Sequence, residues 1–138
     1  MKLKWIIASL SFILIFAVII YQFIYTRKRD VMLENVAYKM KANELIDLFE
    51  KNESLANSKF KYKVIEVNGK IGETSKNQDK GLIVILKEND EFFGINCSFT
   101  NFNFKLDQFN AGDSICIRGI VQGYLDDVIL TNCKIIKN

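Results

Sequence analysis

The sequence predicts a mainly β fold: a five-stranded barrel preceded by one amphipathic α-helix and an N-terminal transmembrane helix. Three observations carry this. Between residues 61 and 136, five short segments rich in Ile, Val and Phe read as strands, most of them with one apolar face. A longer stretch, residues 100 to 112, separates the third segment from the fourth. No Pro, repeat or low-complexity run interrupts any of them. Five short strands broken in that place suit the OB-fold, a small Greek-key barrel.

The first element is apolar. From Trp5 to Tyr25 runs WIIASLSFILIFAVIIYQFIY, broken only by Ser9, Ser11 and Gln22 and free of charge. As a helix it would span about 32 Å, a match for a hydrocarbon core of roughly 30 Å. Trp5, Tyr21 and Tyr25 sit near its ends, where amphipathic rings favour the headgroup level. A cleaved signal peptide would carry a shorter apolar run ending in small residues, whereas this one ends in YQFIYTRKRD. The expected order is a basic flank (residues 1–4), an uncleaved signal anchor (5–25), a linker (26–40) and a barrel domain with its leading helix (41–138). The lipid bilayer is thus the first expected partner, through Trp5 to Tyr25.

Charge does not orient that anchor. Lys2 and Lys4 lie on one side, Arg27, Lys28 and Arg29 on the other; Lys39 and Lys41 tip the balance slightly toward a cytoplasmic C-terminal domain. The formal net charge of +3 also divides unevenly. Residues 1–30 hold five basic residues and one Asp; residues 31–138 hold 14 basic and 15 acidic ones, a net −1.

The leading helix is read over about residues 43 to 57, within NELIDLFEKNESLANSKF (43–60), with Leu45, Leu48, Phe49, Asn52, Leu55 and Ala56 on one stripe. Opposite them lies an acidic face, Glu44, Asp47, Glu50 and Glu53, read as solvated or as a docking surface. The first strand, residues 61–73, places Ile65, Val67, Gly69 and Ile71 together. The second, GLIVILKE (81–88), is apolar on both faces, as a strand between a sheet and a helix would be. The third, residues 92–99, aligns Phe93, Ile95, Cys97 and Phe99. The fourth, 113–123, aligns Ile115, Ile117, Gly119 and Val121. The fifth, 127–136, has Ile129, Thr131, Cys133 and Ile135 as its better apolar face.

KVIEVNGKIGE, residues 63–73, contains Asn68-Gly69, a strong hairpin signal. The arm after it is poor in apolar residues, however. A long first strand that bends at Gly69 to pair with both neighbours uses Ile71 better, because an internal Gly marks a barrel corner as readily as a turn. Gly119 is read as a similar corner.

Catalytic chemistry is sparse. There is no His, no Gly-rich phosphate loop, no paired-Cys metal spacing and no nucleophile elbow. Asp126-Asp127 offers too few ligands for a cation and reads as a solvated hairpin turn. No catalytic, cofactor or metal residue is expected, and the protein is read as a non-enzyme. Phe102, Phe104 and Phe109, with Lys105, either stack bases or plug one end of the barrel. Cys97, Cys116 and Cys133 are too few and too irregular for a disulfide framework; Cys97 and Cys133 are expected as free thiols near each other inside the barrel.

Nucleic acid would need cations on the binding face. The strands expected there offer Lys80 and Lys87 at the ends of the second, none in the third, and Arg118 in the fourth, while Phe92 lacks a basic neighbour. A patch at Lys59, Lys61 and Lys63 is partly offset by Glu66. The charge pattern therefore argues against nucleic acid.

ELIDLFEKNESLANSKFKYKVIEVNGKI, INCSF and GYLDDVILTNCKI resemble the tRNA-anticodon-binding-like OB-fold family of bacterial lipoproteins and membrane-anchored proteins, over roughly residues 27–138. The resemblance implies an exported OB domain of unknown biochemical function, with an envelope protein or small ligand as its partner. This chain departs from the pattern in lacking a lipidation Cys and in carrying Gln122 where relatives are expected to carry Cys. The expected function is a membrane-anchored, non-enzymatic binding or adaptor module of the cell envelope. The alternative is a single-stranded nucleic-acid-binding OB protein with a cytoplasmic domain.

Overall fold

The computed structural model describes residues 2–25, 29–76, 81–88, 92–100 and 108–136; within the first helix, side chains are described for residues 9–22. That helix, α1 (Lys2–Tyr25), exposes Leu10, Phe12, Ile13 and Leu14 among others. Among the described residues no helix is long and apolar enough to cross a membrane. The side chains of residues 5–8 and 23–25, which complete the stretch expected to span, lie outside the described ones.

The remaining elements run β1 (Tyr38–Lys41), α2 (Ala42–Lys51), α3 (Glu53–Phe60), β2 (Val64–Lys76), β3 (Leu82–Leu86), β4 (Ile95–Phe99), β5 (Ser114–Tyr124) and β6 (Val128–Ile136). Strands β2-β3-β4-β6-β5 close on themselves through a β2–β5 pairing, and β4 and β6 run parallel. This is the five-stranded OB topology. A sixth strand, β1, pairs in parallel with β2 through Tyr38–Ile65 to Lys41–Asn68. Its first three residues lie within the stretch read from sequence as a linker, residues 26–40.

The chain does not reverse at Asn68-Gly69. β2 is continuous, pairing with β5 from Val64 to Lys70 and with β3 from Ile71 to Lys76. Its irregularity falls between Ile71 and Glu73, so the bend lies three residues beyond the expected Gly69. Gly69 serves a different need: a Cβ there would sit 2.8 Å from Ala42 Cβ, where α2 crosses β2. Gly119 does mark a corner. The β5–β6 register shifts between Arg118 and Ile120, and a Cβ at Gly119 would meet Cys133 Sγ at 2.8 Å.

Three expectations are corrected. The single helix over residues 43–57 is two helices broken at Asn52, which is extended (φ −160°). Its side chain accepts a hydrogen bond from Leu55 N at 3.0 Å, capping α3, a role Asn fills better than a helix interior. The second helix then continues to the buried Phe60. On β6 the inward residues are Val128, Leu130 and Cys133, not Ile129 and Thr131. Asn132 adopts φ +52° within the register shift opposite Gly119, and one extra residue moves the following side chains to the other face. β3 is not sandwiched: Leu82, Val84 and Leu86 are buried, but Ile83 and Ile85 stay half-exposed, because α2 and α3 pack on β1, β2 and β5.

Leu45, Ile46 and Phe49 of α2 and Ala56 and Phe60 of α3 join Ile65, Val67, Ile117, Val121 and Leu130 in one core. The helices therefore close an end of the barrel, with Phe109 packed against the same cluster. Phe102, Phe104 and Lys105 lie outside the described residues. A second cluster, Val31 with Val64, Ile120 and Val36, fastens the chain ahead of β1 to the outside of the sheet.

Candidate functional site

In an OB barrel the usual ligand face is the outside of the second and third strands with their flanking loops. Here those strands are β3 and β4. Cross-strand pairing sets Glu73, Ile85, Asn96 and Ile129 in one row and Ser75, Ile83 and Ser98 in the next. No cation projects from β3 or β4. Beside them Phe92 is 93% exposed and Leu125 75%. Asp127 holds this corner: its Oδ1 accepts from Gly94 N at 2.7 Å, and Val128 N donates to Gly94 O at 3.0 Å. Asp126 is exposed; Asp127 is thus a structural brace rather than a solvated turn residue. Among the described residues no cluster of acidic or Cys side chains could hold a metal.

The strongest electrostatic feature is on the opposite side. Glu66, 5% exposed, lies between Lys39 of β1 and Arg118 of β5. Lys39 Nζ is 2.8 Å from one carboxylate oxygen and Arg118 Nε 3.0 Å from the other. Arg118 Nη1 also donates to Val31 O at 3.4 Å, tying the segment before β1 to the barrel. The carboxyl is held below its ordinary range, first by the Lys39 hydrogen bond and then by Arg118, against the opposing effect of burial. Sequence reasoning set Glu66 against the lysine patch and counted Arg118 as a ligand-face cation; the register shows instead that they neutralise each other. The signal was opposite charges at outward positions of two strands, legible only once their pairing is known.

Lys59, Lys61 and Lys63 do gather, around aromatic rings. Lys59 Nζ and Lys63 Nζ lie 5.3 and 5.6 Å from the Tyr38 ring centre, and Lys61 Nζ lies 5.3 Å from that of Tyr62. A groove of about 420 Å³ beyond the Glu66 cluster is lined by Lys41, Asn68, Lys70, Ser114 and Cys116. Burial, with the negative charge of Glu66, pushes the Cys116 thiol up. Cys97 and Cys133 are buried free thiols in mutual contact, and burial pushes Cys97 well above the usual thiol range. Cys97 is by that measure an inert core group, and Cys133 is buried beside it. The acidic residues Glu44, Asp47, Glu50 and Glu53 lie on the helices α2 and α3, away from the core. Lys87 lies over Gly72, and Lys80 is outside the described residues.

The tRNA_anti-like family model matches residues 1–135. The chain belongs to the tRNA_anti-like family. Among solved structures it is similar to a Klebsiella pneumoniae lipoprotein proposed to bind nucleic acid: identity is 19%, the match covers 71% of this chain and 91% of that one, and the TM-score is 0.59. At that identity the likeness concerns the fold. No curated protein matches the sequence. For this tRNA_anti-like protein the position where relatives are expected to carry Cys is occupied by Gln122, whose Nε2 donates to Thr131 Oγ1 at 2.9 Å across β5 and β6.

Proposed function

We propose that this tRNA_anti-like protein is a membrane-anchored, non-enzymatic OB module of the bacterial envelope. Its barrel is held outside the cytoplasm and presents a face free of cations on β3 and β4 to a protein or small ligand. The carrying observation is the composition of the β3–β4 face: Ile83, Ile85, Asn96 and Ser98, without a cation. Affinity for a nucleic-acid backbone comes mainly from neutralising phosphates, and β3 and β4 themselves carry no cation to neutralise them. Anchoring is supported by the uncharged run from Trp5 to Tyr25, long enough as a helix to span the hydrocarbon core.

The second reading, a cytoplasmic single-strand-binding protein, is favoured by the Lys59–Lys63 cluster with its tyrosines and by the naming of the Klebsiella relative. Fluorescence anisotropy separates the two. The full chain in detergent, titrated against a mixed-sequence single-stranded oligonucleotide, is expected to bind no tighter than roughly 10⁻⁴ M, the weak end of non-specific affinity. Micromolar, salt-sensitive binding would replace the first reading by the second. C-terminal phosphatase and fluorescent-protein fusions test the side of the membrane; signal from the fluorescent fusion alone would reverse the orientation.

A further inference from the structure

The lysine cluster is tied to Arg29, which follows the end of α1 closely in the chain. Arg29, four residues after Tyr25, donates through Nη1 to Tyr62 O at 3.1 Å and pairs through Nε and Nη2 with Glu34. One side chain, four residues of chain after the end of α1, thereby joins the turn at residues 30–33 to the loop at 61–63. Four residues of chain reach at most about 14 Å. The headgroup layer is roughly 5–7 Å deep on each side, and the Debye length at physiological salt adds about 8 Å. If α1 spans a bilayer, Arg29 lies within about the reach of that membrane's surface charge, and the 61–63 loop is held one arginine side chain away from it.

The loop is also built to stay there. Tyr62 takes the left-handed conformation (φ +64°), and its N donates to Val121 O at 2.7 Å while its carbonyl receives Arg29. Lys59, Lys61, Tyr62 and Lys63 are all exposed, and none of the three lysines forms a salt bridge among the described residues. The nearby carboxylates are engaged elsewhere: Glu34 by Arg29, and Asp30 by Met32 N at 3.0 Å. The faces of Tyr38 and Tyr62 favour the ammonium groups held over them. At the tip of the adjoining turn Leu33 is 86% exposed and Met32 48%. Cations, a tyrosine and exposed aliphatics beside a membrane-proximal chain are what an anionic headgroup layer accommodates.

We infer that the Lys59–Lys61–Lys63 cluster, with Tyr62 and Leu33, is a second membrane contact that seats the barrel on anionic phospholipid. This rests on the anchor reading above. It makes the barrel's orientation to the bilayer fixed rather than free. Each lysine removed is expected to weaken the seating by about fivefold.

The test uses the full chain with Trp5→Phe, reconstituted into nanodiscs of brominated phosphatidylglycerol and phosphatidylcholine in equal parts, or of brominated phosphatidylcholine alone. A single tryptophan reporter is placed by Tyr62→Trp or, as control, by Ala111→Trp at the far end of β5. Seven residues of strand between Ser114 and Val121 set those ends about 23 Å apart. Emission from the Tyr62→Trp reporter is expected to be quenched in phosphatidylglycerol discs, less in phosphatidylcholine, and less at high salt. Emission from the Ala111→Trp control should be unaffected throughout. Replacing the three lysines by Gln should remove the dependence on phosphatidylglycerol. Disc-inserted protein with both reporters quenched equally would overturn the seating and leave the anchor intact. Protein that stays outside the discs would overturn the anchor and the seating together. If the Gln triple variant instead loses oligonucleotide binding and keeps its quenching, the cluster belongs to nucleic acid and the proposal falls.

Discussion

Gly69→Ala isolates the contact that shapes the junction of helix and barrel. The added methyl would lie 2.8 Å from Ala42 Cβ and 3.3 Å from Leu86 Cδ1, where carbon pairs prefer about 3.5–4.0 Å. Ala42 is buried and opens α2 directly after β1, so it moves only if the helix moves. Overpacking of this kind costs about 1–3 kcal/mol. Against that, Gly69 shows no left-handed φ, so Ala gains about 0.4–1 kcal/mol by restricting the unfolded chain. The net expectation is a loss of about 1–2 kcal/mol. Ala42→Gly removes the clashing methyl at its own cost of about 1 kcal/mol in helix propensity. In that background Gly69→Ala should be neutral or stabilising, a coupling of about 2 kcal/mol of compensating sign. Urea unfolding of the purified chain in detergent, followed by far-UV circular dichroism, measures the cycle. Effects that add to within about 0.5 kcal/mol would show that these two groups do not collide.

Two further outcomes follow from other parts of the molecule. Glu66→Gln leaves Arg118 without its carboxylate and should cost about 1–3 kcal/mol near neutral pH. Because the folded Glu66 carboxyl is held below its ordinary value, its contribution is complete above that value and is lost as pH falls through the folded one. Unfolding measured from neutral to acid pH should therefore decline less steeply in the Gln variant; parallel curves would show that Glu66 titrates alike in both states. Asn52→Ala removes the α3 cap and should cost about 1 kcal/mol, while an unchanged urea midpoint would mean that the helix break does not depend on that side chain.

Local alternation was enough to specify the five barrel strands and the inward residues Ile65, Val67, Ile71, Ile95, Cys97 and Phe99, while the poverty of apolar residues after Asn68-Gly69 favoured a continuous strand there. A strand with one buried face must display that alternation, whatever it pairs with. The length of the apolar run at Trp5–Tyr25 and the absence of His were equally legible. The rest was decided by how the strands come together. A single residue at Asn132, in the left-handed conformation, moved the inward face of β6, and periodicity carries no mark of a bulge until a partner strand sets the register. β1 hydrogen-bonds only because β2 offers it an edge. The Glu66 triad joins residues 39, 66 and 118, and the lysine cluster gathers around Tyr38, far earlier in the chain. Charges so separated in sequence acquire a partner, or a shared surface, only when folding fixes which strands are neighbours.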